Sequence, residues 1–141
     1  MSLVADTGGL YALFDADDRH HVEVKKVVER ERGIIILPAL VLAELDYLLL
    51  AHLGVDAELG LLEDIASGAF VLEPLTSEDV ARCREILERY RDLKPGLADA
   101  SVVATCERLG ITRVLTLDER DFRVLQPTSG RPFTLLPADD A

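Results

Sequence analysis

The chain has 141 residues, 49% of them hydrophobic, a formal charge of −11 and two cysteines. A domain of that length buries roughly 68% of the surface its unfolded chain exposes, which excludes disorder and any need for disulfide staples. The acidic balance excludes a simple cationic nucleic-acid binder, unless bound metal ions invert the local potential or basic residues gather on one face, and it equally suits a basic protein partner.

Leu3-Val4-Ala5 is a short apolar run that reads as a strand, and Asp6-Thr7-Gly8-Gly9 as the turn after it, with helix through Leu10–Phe14. Asp15 to Asp18 is a polar break, and Asp17 or Asp18 is placed to cap a helix over Arg19–Arg32 with Val24, Val27 and Val28 on one face. Gly33 stops it. Ile34-Ile35-Ile36-Leu37 is a continuous β-branched run, as in a strand buried on both faces. Pro38 fits the first turn of a helix that runs to about Leu53 and ends at Gly54. A further helix spans Asp56 to Ala66, and Phe70-Val71-Leu72 is a third strand.

Thr76 is an N-cap with Glu78 and Asp79 in the first turn, and the helical spacing of Val80, Cys83, Leu87 and Tyr90 extends to about Leu93. Lys94-Pro95-Gly96 breaks the chain before a small-residue helix from Leu97 to Leu109, stopped by Gly110. Val114 to Leu117 is a fourth strand, followed by Asp118-Glu119-Arg120-Asp121, and Phe133 to Leu136 is a fifth. Strands that alternate with helices and look fully buried predict an α/β fold, one domain over residues 1–141, with a mostly parallel central sheet covered on both faces. Ligands in such folds bind beyond the carboxyl ends of the strands, where Asp6 and Asp118 fall.

Cys83 and Cys106 lie in helical stretches and read as small apolar core residues, a usage that suits a reducing cytoplasm. The start of the chain meets Asp6 at once, unlike a secretory signal. The most apolar segment, Pro38 to Leu53, contains Glu44, Asp46 and His52 and is too short for a bilayer span, so no membrane is expected.

Among 26 acidic residues, a few stand in costly places. Asp6 follows an apolar strand, where a self-bonded turn aspartate is the plain alternative. Glu44 has Leu40, Val41 and Leu48 as helical neighbours, on or beside the apolar stripe. Asp99 opens a helix that is apolar on most sides, where interaction with the positive helix end is the simplest structural role. Asp118 and Asp121 share one turn and equally suit a helix start. Converging in one cleft, these carboxylates repel one another unless some take up protons or a hard divalent cation binds. Such a site suits phosphodiester hydrolysis.

The residues Val4-Ala5-Asp6-Thr7, Pro38 to Leu45, Gly96-Leu97-Ala98-Asp99-Ala100-Ser101 and Leu115 to Phe122 occur in an order that resembles the PIN-domain family, in particular VapC-type toxins of prokaryotic toxin–antitoxin pairs. The resemblance spans nearly the whole chain. It implies a PIN-like fold and a Mg²⁺- or Mn²⁺-dependent endoribonuclease in which Asp6, Glu44, Asp99 and Asp118 are the catalytic, metal-binding quartet, with Asp121 a further candidate in the same turn. It implies supporting roles for Thr7 and Thr116 around the metal's waters. Gly8 stands where family members often carry Ser or Asn, so one donor is absent. The implied partners are an RNA substrate, a VapB-type antitoxin whose basic tail fills the groove, and a second copy of the chain in a homodimer. The alternative is a non-catalytic PIN-like module that binds RNA or protein, which is expected to have lost one of the four acids.

Other features read more plainly. His20-His21 point apart on a helix and read as an exposed helix start, and His52 sits near a helix end. Gly8-Gly9 lacks the pattern of a phosphate loop. Lys94, Arg120 and Arg123 stand near the candidate site loops, with solvated surface charge as the simpler reading. An aspartyl-phosphate enzyme lacks its second aspartate after Asp6, and a DNA-flap nuclease needs added clamp elements.

Overall fold

The computed structural model describes residues 1–140. Its elements run β1 (Leu3–Ala5), α1 (Thr7–Phe14), α2 (His21–Arg30), β2 (Ile35–Pro38), α3 (Ala39–His52), α4 (Val55–Ala66), β3 (Val71–Glu73), α5 (Ser77–Arg89), α6 (Leu97–Leu109), β4 (Arg113–Leu115), α7 (Glu119–Val124) and β5 (Thr134–Leu136). The strands form one parallel sheet in the order β3-β2-β1-β4-β5, which is the α/β architecture expected.

Every residue of β1 and β2 is buried, because parallel strands joined through helices are covered on both faces. Val4 pairs with Ile36 on one side and with Val114 on the other. The chain leaves β1 towards β2 and β3, then returns across it to β4 and β5. The direction reverses between β1 and β4, and a crevice opens at their carboxyl ends.

Three helices shape that crevice. On α1, a Cβ added to Gly9 would lie 2.6 Å from the Leu115 carbonyl oxygen, so the absence of a side chain lets this helix sit directly on β4. On α3, Val41, Leu45 and Leu49 recur at helical spacing and are buried. On α6, Ala100 through Cys106 are buried without a break, so small side chains run this helix through the core. α5 is fixed at its start by a capping box, with the Thr76 hydroxyl accepting from the Asp79 N–H and the Asp79 carboxylate accepting from the Thr76 N–H.

The structure corrects several expectations. Pro38 ends β2 in an extended conformation (φ −62°, ψ 144°) instead of opening α3. Ile34 lies outside the strand and is 49% exposed, its N–H donating to Ser2 Oγ. α1 begins at Thr7, with Gly8 and Gly9 inside its first turn. α2 begins at His21, because Asp18 first folds a tight turn: its carboxylate accepts from the His20 N–H and its carbonyl from the His21 N–H. α5 ends at Arg89, short of Leu93, and the chain turns through Lys94 at φ 52°. β3 is an edge strand with Leu72 exposed, so it is not covered on both faces.

Cys83 and Cys106 are buried free thiols, as expected, and burial pushes both thiols up. No helix among the described residues is long and apolar enough to cross a membrane.

Candidate active site at the carboxyl ends of β1 and β4

Asp6 is the first residue after β1 and is almost fully buried. Its N–H donates to the Leu115 carbonyl at 2.9 Å, so the sheet fixes its backbone. Its Oδ2 accepts from the Thr116 hydroxyl at 2.9 Å. Thr116 Oγ1 also accepts from the Asp118 N–H at 3.0 Å, and Asp118 Oδ1 accepts from the Asp121 N–H at 3.0 Å as the cap of α7. One hydroxyl therefore ties the end of β1 to the turn after β4. Thr116 and Leu117, expected to continue the fourth strand, leave it to make this turn, although the Thr116 N–H still donates to the Leu136 carbonyl.

Asp99 stands in the first turn of α6, and Glu44 on α3. Asp6, Glu44, Asp99 and Asp118 all line one open cleft of about 640 Å³. Asp99, Asp118 and Asp121 each offer a carboxylate oxygen within 4.8 Å of the others. Asp121 Oδ1 is buried without a hydrogen-bond partner among the described residues. Glu44 reaches the cleft from an exposed position: it is not on the buried stripe of α3, so its carboxylate stays hydrated.

The electrostatics follow from this crowding. Burial first, then the charges of Asp118 and Glu44, raise the Asp6 carboxyl to about 6 against the lowering effect of the Thr116 hydroxyl. Burial, and after it the charges of Asp6, Asp118, Asp121 and Glu44, raise Asp99 to about 8. Asp121 is raised by burial and by Asp118, with Arg120 opposing. Arg120 is 3.6 Å from Asp121 but 83% exposed, so it compensates little. Burial first, and then mutual repulsion, make the charged forms of these carboxylates costly.

Of the other residues considered from sequence, Thr7 lies against the cleft with its Oγ1 buried and unpartnered among the described residues. Arg123 is committed to Asp139 and Glu119. His21 is half-buried and not an exposed helix start: its Nδ1 is 2.8 Å from the Ala12 carbonyl and ties α2 to α1. His20 is half-buried beside Arg19 and Glu23. The His52 ring meets Tyr11 edge to face. Sequence reasoning missed the walls of the cleft. Leu48, Leu117 and the segment Pro95 to Ala98 line it; Pro95 and Gly96 were read as a chain break, and Leu97 and Ala98 as a helix start within a motif of the family resemblance, none of them as a wall of the site. The Pro-Gly pair was the available signal.

A PIN-domain family model matches residues 3–126. Ribonuclease VapC26 of Mycobacterium tuberculosis (strain ATCC 25618 / H37Rv) is 36% identical over 135 residues, covering 96% of this chain and 100% of that protein. Among solved structures, M. tuberculosis VapC20, a sarcin-ricin loop cleaving toxin, superposes with a TM-score of 0.79 at 23% identity, over 84% of this chain and 91% of that one. VapBC2 from Rickettsia felis, bound to a DNA fragment from its promoter, gives a TM-score of 0.69 at 12% identity, over 96% and 97% of the two chains. The two structures share the fold, and the family match together with the alignment over nearly the whole chain establishes that this protein belongs to the PIN-domain family, in its VapC group.

Proposed function

We propose that the chain is a Mg²⁺- or Mn²⁺-dependent endoribonuclease that hydrolyses RNA phosphodiester bonds, acting in the cytoplasm as the toxin of a VapBC-type toxin–antitoxin pair. The observation that carries this reading is the convergence of acids without compensating cations at the point where the strand order reverses. The donor set suits a hard divalent ion, being all carboxylate oxygen, and Asp121 Oδ1 has no hydrogen-bond partner among the described residues, with only the exposed Arg120 guanidinium 3.6 Å away. Asp6, Glu44, Asp99 and Asp118 hold the metal in this reading, with Asp121 beside them.

When bound, the ion supplies a water of lowered pKa and a Lewis acid for the phosphate oxygens. The chain's own residues set the geometry. Thr116 engages Asp6 Oδ2 and the Asp118 N–H together, which holds these two carboxylates in a fixed relation. Asp6 is nearly water-free, whereas Glu44 is exposed at the rim, so the cleft grades from a dry floor to a wet edge. That grading leaves one side open for a strand to enter.

The partners follow from charge and exposed surface. A basic antitoxin tail matches a cleft lined by acids on a chain of charge −11. Tyr47 (71% exposed), Leu50, Val55, Leu59 and Leu62 lie on α3 and α4, an apolar exposure that suits a homodimer contact. The non-catalytic alternative expects a lost acid, and all four acids are present.

The test uses purified, antitoxin-free protein. Asp6→Asn, Asp99→Asn and Glu44→Gln each lower Mg²⁺-dependent RNA cleavage by about 100-fold or more, a loss at the upper end of that seen when groups around a metal are changed. Cleavage at the parent rate by any of these variants contradicts the assignment of that residue.

A further inference from the structure

A strand-cleaving reading requires this acidic cleft to hold a polyanion, yet no Lys or Arg lines it. The backbone supplies the missing donors. α6 has no side-chain cap; its N-cap is Gly96 at φ 88°, and its first backbone bond runs from the Ala100 N–H to the Gly96 carbonyl at 3.1 Å. The N–H groups of Leu97, Ala98 and Asp99 are therefore without acceptors among the described residues, and these residues line the cleft. A helix start of this kind carries about half a positive charge and donors directed at an anion.

A second feature points to a ligand independently. Thr7 is only 5% exposed and lies against the same cleft, and its Oγ1 has no hydrogen-bond partner among the described residues. A buried hydroxyl in that condition is unfavourable until something accepts from it. Next to it, a Cβ added to Gly8 would meet nothing within 4 Å, so the surface is open down to the α1 backbone. Lys94, one residue before the cleft-lining Pro95, is exposed and forms no ion pair among the described residues, unlike Arg123 with its two carboxylates.

We propose that the backbone phosphates of the bound RNA strand are held by neutral donors of this cleft, namely the free N–H groups of Leu97 and Ala98 and the Thr7 hydroxyl, with Lys94 meeting the phosphate at the rim. This rests on the nuclease reading and names how that site takes its substrate. It also explains how a chain of charge −11 handles nucleic acid in a cleft that no Lys or Arg lines.

The test measures binding of a mixed-sequence 2′-O-methyl RNA oligonucleotide, which lacks the free 2′-hydroxyls of RNA, by fluorescence anisotropy in Ca²⁺. Leu97→Pro deletes one N–H at a helix position that tolerates proline, and Leu97→Ala controls for the lost side chain. Thr7→Val removes the hydroxyl at constant shape and keeps the test decisive if the proline variant fails to fold. Leu97→Pro and Thr7→Val are expected to weaken binding about 10-fold or more relative to Leu97→Ala and the parent, as for loss of one charge-assisted hydrogen bond. Lys94→Gln lowers the salt slope by about 0.7, as for one contact to a single strand. Mn²⁺ affinity of Leu97→Pro and Lys94→Gln stays within about twofold of the parent, because neither change touches a metal-holding carboxylate or a threonine beside the metal's waters. Leu97→Pro and Thr7→Val binding as tightly as their controls, with an unchanged salt slope for Lys94→Gln, overturns the proposal. Failure of the nuclease reading looks different: the parent then takes up no Mn²⁺, or the carboxylate variants still cut RNA.

Discussion

The two ends of α6 are built from the same kinds of acid and treat them in opposite ways. At the carboxyl end Glu107 is bonded to Arg82 at 2.8 Å, and the Arg108 guanidinium spans Asp79 and Glu73. Those partners hold the Asp79 and Glu107 carboxyls below the ordinary range, against the effect of burial. At the amino end Asp99 meets Asp6, Asp118 and Asp121 with no buried cation, and its carboxyl rises to about 8. The contrast separates acids that knit the fold from acids that keep a site under mutual repulsion. Burial alone does not distinguish them, since Asp79 and Asp6 are both almost inaccessible.

The comparison can be broken by exchanging the behaviour of the two ends. The largest expected effect on stability is at the carboxyl end. Arg108→Ala leaves Asp79 buried and unpaired and lowers unfolding free energy by about 2 kcal/mol, below the usual cost of breaking a buried pair because Arg108 itself is partly exposed. Urea denaturation measures it, and RNA cleavage per folded molecule should be unchanged. A variant that keeps its stability but loses cleavage would show that the two ends are not separate.

Thr116→Val comes next. It leaves Asp6 and the Asp118 N–H without their shared partner and costs about 1 kcal/mol of stability. Cleavage falls about 10-fold or more, since the Asp6 carboxylate and the Asp118 backbone both lose their positioning bond. A stability loss with unchanged cleavage would reduce Thr116 to a structural residue.

A change of pH sharpens the comparison further. The Asp6 and Asp99 carboxyls stand at about 6 and about 8 in the folded chain, above the ordinary aspartate value of 3.8, so the metal-free native state holds extra protons from about pH 4 up to those values. Their contribution favours folding at low pH and is lost as pH rises from about 4 to about 8. Asp79 and Glu107 are lowered, so their contribution is present above the usual carboxylate range and is lost as pH falls through their folded values. Metal-free protein is therefore most stable on the acid side of neutrality. Denaturation midpoints measured from pH 4 to pH 8 check this, and a midpoint that rises steadily to pH 8 contradicts it.

The sequence showed unevenly where these ends lie. The position of Asp6 after Leu3-Val4-Ala5 and of Asp118 just past the fourth strand was readable, although a turn aspartate and a helix start were equally open readings, and Asp118 does cap α7. Thr76 with Asp79 was readable because capping is local chemistry. The exposure of Glu44 was not: its neighbours Leu40, Val41 and Leu48 are apolar, and only packing shows that the buried stripe runs through Val41, Leu45 and Leu49. Pro38 was misplaced because its φ serves a strand end as well as a helix start. Lys94 to Gly96 looked like punctuation and Leu97-Ala98 like an ordinary helix start, since a free N–H leaves no mark in the sequence until the cleft beside it is known.

The most direct test of repulsion relieved by a cation is a thermal melt at pH 8 with and without Mn²⁺, for the parent and Asp99→Asn. The account predicts that Mn²⁺ raises the parent's Tm, that Asp99→Asn melts higher than the parent without metal, and that Mn²⁺ then adds little. A parent whose Tm ignores Mn²⁺, with Asp99→Asn no more stable in its absence, would contradict it.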